Sequence, residues 1–151
     1  MYEIEIEGLK ELQGIFTEAP IIVGEELQKA TMEAGLKIQS LEMKNSPHDT
    51  GNLARGIHLD YQPIQVTIAP QANYASYPEF GTQPHYVSPQ QLMGWARRHG
   101  LNPYAVSKSI QKHGTKAQYY VRNTVGQIGE EVSEIFTNCL GNIIKRLSTG
   151  K

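Results

Sequence analysis

The chain alternates between stretches whose apolar residues recur at every second position and stretches where they recur at every third or fourth. That alternation lays out an α+β fold. Tyr2, Ile4 and Ile6 interleave with Glu3, Glu5 and Glu7, the pattern of a half-buried strand, and Gly8 ends it. Leu9, Leu12, Ile15 and Phe16 suggest a short helix. Pro20 then opens a longer one in which Val23, Leu27, Ala30, Ala34, Ile38 and Leu41 form a stripe for the core. Pro47 stops that helix, and Asp49 stands where it can cap a short helix through Ile57. Ile57, Leu59 and Tyr61 alternate, Pro63 turns the chain, and Ile64, Val66 and Ile68 alternate again, which predicts a hairpin. Residues 73–80 read as a third strand, confined to an edge or a bulge by Pro78, which has no N–H for a ladder.

A helical excursion is expected over about residues 85–114. Ser88, Pro89 and Gln91 supply a cap, a first-turn proline and the acceptor of a capping box; Gly100 ends this helix, and Asn102–Pro103 starts a second that runs to about Gly114. Residues 118–124 read as extended. Ile128, Val132, Ile135, Phe136, Cys139, Ile143 and Leu147 then trace a last long amphipathic helix. The sum is a single domain over residues 1–151: a small, mostly antiparallel sheet packed by two long amphipathic helices, with an inserted helical hairpin.

Composition narrows the function classes. A chain of 151 residues can bury roughly 70% of its unfolded surface and needs no covalent staple. The one cysteine, Cys139, lies on the apolar stripe and reads as a buried reduced thiol. Apolar runs are far short of the ~20 residues that span a bilayer, and the acidic start, Met1 to Glu7, lacks the basic and apolar regions of a signal peptide, so no membrane or secretory role is expected. A net charge of -1 conceals a division: residues 1–79 hold 12 acids and 5 bases, whereas residues 80–129 hold six bases and no acid. Those six, Arg97, Arg98, Lys108, Lys112, Lys116 and Arg122, suit a polyanion or an acidic protein surface.

Catalytic chemistry finds little support. Asp49-Thr50-Gly51 has the letters of an aspartic-protease loop, but that chemistry buries its carboxylates between apolar strands, and here Asn45-Ser46-Pro47-His48 precedes and a helix is expected to follow. The five histidines make no HxxxH or HExxH pair, no serine sits in a GxSxG elbow, and no glycine-rich phosphate loop occurs. No cofactor, metal or catalytic residue is therefore expected. One binding motif does compete. Residues 92–113 space Ala96, Gly100 and Val106 as in a helix-turn-helix, although Ser109 falls where that motif needs an apolar anchor.

Three blocks remain: Ser46-Pro47-His48-Asp49-Thr50-Gly51-Asn52-Leu53-Ala54-Arg55-Gly56-Ile57, Tyr74-Ala75-Ser76-Tyr77-Pro78-Glu79-Phe80-Gly81-Thr82, and Gly114-Thr115-Lys116-Ala117-Gln118-Tyr119-Tyr120-Val121. In this order, after a long helix, they resemble the tail-completion family of tailed bacteriophages, the head-tail joining or minor tail proteins of the neck. The third block departs from the family's pattern, with Tyr119-Tyr120 where a proline-phenylalanine is usual. The resemblance implies a non-enzymatic virion part, assembled in the bacterial host cytoplasm, that completes the tail and joins it to the head. Its partners would be copies of itself in a ring, other neck or tail proteins, and DNA in the channel through non-specific contact. Pro47, Asp49, Thr50, Gly51, Leu53, Glu79, Phe80, Gly81 and Thr82 would carry the structural motif. The six bases and Tyr77 would face a neighbour or DNA, with Tyr77 and Glu79 on one face of the strand and Tyr74 and Phe80 on the other.

Overall fold

A computed structural model describes residues 9–149. The expected strand at Tyr2–Ile6 lies outside them. The elements are α1 (Leu9–Asn45), α2 (Asn52–Arg55), β1 (Ile57–Gln62), β2 (Gln65–Pro70), α3 (Ser76–Phe80), α4 (Pro89–Arg98), α5 (Pro103–His113) and α6 (Tyr120–Thr149). The α+β expectation holds, with two long helices, an antiparallel β1–β2 hairpin and, among the described residues, one isolated antiparallel bridge between Thr82 and Thr115.

The chain forms two compact units. One contains the described residues up to Leu36, Asp60–Thr67 and those from Gly129 onward; the other contains Lys37–Leu59 and Ile68–Ile128. In the first unit α1 and α6 pack together. Ala30 and Ala34, one turn apart, meet Ile135, Cys139 and Ile143, and Val23, Leu27, Val132, Phe136 and Leu147 close the sides. The small alanines and the cysteine leave room for the isoleucines to interdigitate, as ridges do in grooves. A polar cluster edges the seam. Arg146 donates to Glu25 at 2.8 Å and to Glu26 at 2.9 Å, and Lys29 donates to Glu26 at 2.8 Å. The Lys29 hydrogen bond, with help from Arg146, holds the Glu26 carboxyl below its usual range despite burial. Cys139 is buried and reduced, and desolvation pushes its thiol up.

The second unit has its own core, in which Leu53, Ile57, Ala75 and Tyr120 are buried against Met43, Ile68, Ala72 and Val121. Four expectations fail here or beside it. Pro20 does not open a new helix, because α1 runs through it from Leu9; a proline removes one N–H and crowds one carbonyl, which bends a helix without necessarily ending it. Residues 73–80 are not a strand. Pro78 is the third residue of α3, where an N–H has no partner inside the helix, so its absence costs nothing. Residues 118–124 are not all extended, since α6 starts at Tyr120. Asp49 caps no helix: the N-cap of α2 is Gly51, left-handed at φ 74°, and it offers no side-chain bond.

The excursion forms as the sequence predicts. Pro89 and Pro103 open α4 and α5, and the Asn102 side chain accepts from the amides of Tyr104 and Ala105. Ser88 leads α4, but its hydroxyl turns to Gln90 at 3.0 Å, so the expected reciprocal box with Gln91 does not form.

Candidate assembly site

The three sequence blocks meet in the second unit, and backbone chemistry holds the last two together. Thr82 and Thr115 exchange amide-to-carbonyl bonds of 3.1 and 3.2 Å, the Gln118 amide donates to the Pro78 carbonyl at 2.8 Å, and the Tyr119 amide donates to the Glu79 carbonyl at 3.2 Å. Glycine is required on both sides of this lacing. Gly81 (φ 72°, ψ -175°) and Gly114 (φ 70°, ψ -157°) sit in a backbone region essentially closed to other residues. A Cβ on Gly114 would stand 1.9 Å from the Thr82 oxygen, and one on Gly81 would stand 2.4 Å from the Thr115 oxygen. The two Gly-Thr pairs interlock, each glycine making room for the other strand's carbonyl.

Glu79 is the second tie. In α3 it lies one turn after Ala75, and both are buried, which leaves Tyr74, Tyr77 and Phe80 outward at three-residue spacing. The expected pairing of Tyr77 with Glu79 on one face is therefore replaced by three exposed aromatics, Tyr74 on the turn before α3 and Tyr77 and Phe80 on the helix. Inside, the Glu79 carboxylate accepts from the amides of Val121 at 2.9 Å and Arg122 at 3.2 Å, so it caps α6 from 42 residues away. Tyr119, just before that helix, has a positive φ of 52°, uncommon for a tyrosine, and the Arg122 guanidinium lies 5.7 Å from its ring centre.

Glu42 and Tyr120 complete the buried cluster. Among the described residues no hydrogen-bond partner reaches Glu42 Oε1, and desolvation, added to the charge of Glu79, raises its pKa. Tyr120 donates from its hydroxyl to the Ala75 carbonyl at 3.4 Å, and burial next to the two glutamates pushes its pKa up to about 12.

Asp49 accepts from Arg98 Nε at 2.7 Å and from Arg98 Nη2 at 2.5 Å, a bidentate pair, while His99 Nε2 lies 3.3 Å away. The Arg98 bonds come first in holding its carboxyl below the usual range. His99 also stacks on Trp95, ring centres 4.5 Å apart. Of the six bases named from sequence, Arg98 is thus already committed to Asp49. Arg97, Lys108, Lys112 and Arg122 are exposed, and Lys116 lines a groove.

That groove, about 940 Å³, runs between α3 and the α4–α5 hairpin, with Tyr77, Leu92, Trp95, Val106 and Ile110 as its main apolar walls. It shares Tyr74, Pro78, Trp95 and Gln118 with a smaller cleft, about 340 Å³, walled by Pro47, Asp49, Thr50, Gly51, Asn52 and Leu53. All three blocks therefore contribute to one continuous surface. Sequence reasoning placed Tyr77 and Lys116 at an interface but missed Trp95 and the apolar stripes of α4 and α5. Leu92 with Ala96, and Val106 with Ile110, at one-turn spacing, were the readable signal.

Residues 10–81 match the model of a protein family described as Bacteriophage HK97-gp10, putative tail-component. The chain is similar to phage tail components across that span. The match takes in the first block and the second as far as Gly81, and so bears out the resemblance to a phage tail family. No curated protein and no solved structure matches the chain. No described helix is long and apolar enough to cross a membrane, and among the described residues no three His, Cys, Asp or Glu side chains gather as a metal site.

Proposed function

We propose that this chain is a non-enzymatic structural part of a phage or prophage virion, acting at the neck or the head-proximal end of the tail, where a ring of copies completes the tail and joins it to the head. The match of residues 10–81 to a phage tail-component family carries the reading. Charge supports the self-contact. Every copy bears an acid-rich stretch, residues 1–79, and an acid-free basic stretch, residues 80–129, so the positive part of one can meet the negative part of the next. Such a heterologous contact closes into a ring when the rotation permits. Exposed Arg97, Lys108 and Lys112 suit non-specific contact with channel DNA or with other neck proteins.

Deleting the gene from its phage should leave heads and tails that form separately and yield no infectious particles; a normal yield would refute the proposal. A helix-turn-helix regulator built on residues 92–113 is less well supported, because Arg98 is engaged by Asp49 and Ser109 is exposed where an anchor is needed. Purified protein preferring one operator about 10³-fold over random duplex at physiological salt would reverse that ranking.

A further inference from the structure

The apolar groove between α3 and the α4–α5 hairpin has no place yet in the proposed assembly. Tyr77 and Tyr74 stand 58% and 44% exposed along it, large aromatic surface left in water. No acidic side chain lines it, and its one charged wall residue is Lys116. Duplex DNA is a poor occupant, since phosphates need several cations and gain nothing from leucine, valine and isoleucine. A peptide with apolar residues on one side and acids on the other fits both features.

The chain carries such a segment. Tyr2, Ile4 and Ile6 alternate with Glu3, Glu5 and Glu7, and no base interrupts them. We propose that the groove receives Tyr2–Glu7 of a second copy, laid in extended form with Tyr2, Ile4 and Ile6 against Tyr77, Trp95, Leu92 and Val106 and with the glutamates toward Lys116 and the acid-free stretch around it. In an extended chain successive side chains point to opposite sides, so a single segment satisfies an apolar wall and a basic rim together. The inference rests on the self-assembly reading and names one of its contacts. Because donor segment and acceptor groove belong to the same sequence, each copy can give to one neighbour and take from another, which is the connectivity of a ring or a filament.

Cross-linking of full-length chains tests it. An Ile4→Cys chain mixed with a Tyr77→Cys chain under mild oxidation should give a mixed disulfide dimer, with buried Cys139 a poor competitor. Yield should fall about tenfold when Tyr2 and Ile6 of the donor are also changed to Ser, and it should fall as salt rises. Met93→Cys, exposed on α4 but outside the groove, should cross-link no better than background. Trp95, the sole tryptophan, gives a second readout without cysteines: its emission should shift to the blue as wild-type concentration rises, and should not shift in Tyr2→Ser/Ile4→Ser/Ile6→Ser. Equal cross-linking at Met93→Cys, closure of Ile4→Cys/Tyr77→Cys within one chain at every dilution, or identical Trp95 emission in both proteins would overturn the inference. Copies that sediment as a ring without the cross-link would sink it and leave the assembly role standing, whereas normal phage yield without the gene would sink the role itself.

Discussion

The seam between α1 and α6 is held by ordinary aliphatic side chains repeating at three and four, whereas the region where the motif blocks meet is held by backbone amides, two obligatory glycines and a buried carboxylate. The first kind of bonding is non-directional and roughly proportional to area, so many side chains of similar volume can supply it. The second is directional. A carbonyl 1.9 Å from where a Cβ would stand leaves no substitute for glycine. Residue identity should therefore matter more in the motif unit than in the seam, in keeping with a recognisable motif there.

The largest break in that contrast should come from Gly114→Ala. Strain at its backbone angles and the collision with Thr82 together predict a loss of about 2–6 kcal/mol in denaturant unfolding; a loss under 1 kcal/mol would show that the lacing can shift. In the seam, Ile135→Ala should cost about 2–5 kcal/mol and Ile135→Leu under about 1.5 kcal/mol, a graded response that Gly114 should not show.

A third comparison uses pH within the motif unit. Glu42 has a folded-state pKa above its unfolded value, because burial and the charge of Glu79 oppose ionisation next to the Tyr120 hydroxyl. The stability its carboxyl contributes is then fully present below the unfolded pKa of about 4.3 and is lost as pH rises through the folded pKa. Glu42→Gln should melt higher than wild type at about pH 8, with the gap narrowing toward about pH 4; a pH-independent gap would remove Glu42 as its source. The smallest effect is expected at Asp49, where Asp49→Asn should lower stability slightly at neutral pH by weakening the Arg98 pair. Since that carboxyl titrates below its usual range, the difference should vanish as pH falls through its folded pKa, and salt should shrink it. Equal stability of the two proteins at neutral pH would show that the Arg98 pair contributes nothing measurable.

What could be read from sequence follows the same division. The stripes of α1 and α6, the β1–β2 hairpin, the end of α1 before Pro47 and the Asn102–Pro103 start are local patterns, and each stands where the residues place it. The misreading at Pro20 is local, since a helix can run through a proline, but three other misreadings share a cause at longer range. Tyr74, Tyr77 and Phe80 fit a three-residue period as well as they fit a strand, and only the burial of Glu79 decides between them. The start of α6 at Tyr120 depends on a carboxylate 42 residues earlier. Asp49, with every local sign of a cap, is claimed by an arginine 49 residues later. A bidentate Arg98 outcompetes a backbone amide for the same oxygens, and nothing beside Asp49 in the chain announces it.

The bridge between Thr82 and Thr115 has one more consequence. Residues 83–114, which contain both α4 and α5, leave and re-enter at a single pair of hydrogen-bonded residues. Closing a loop costs only about 0.6 kcal/mol more for each doubling of its length, so the length of this stretch can change at little entropic cost to the clasp that carries it. With Gly114 and the Arg98–Asp49 pair kept, the excursion can be lengthened or shortened between α4 and α5 while α6 still begins under Glu79.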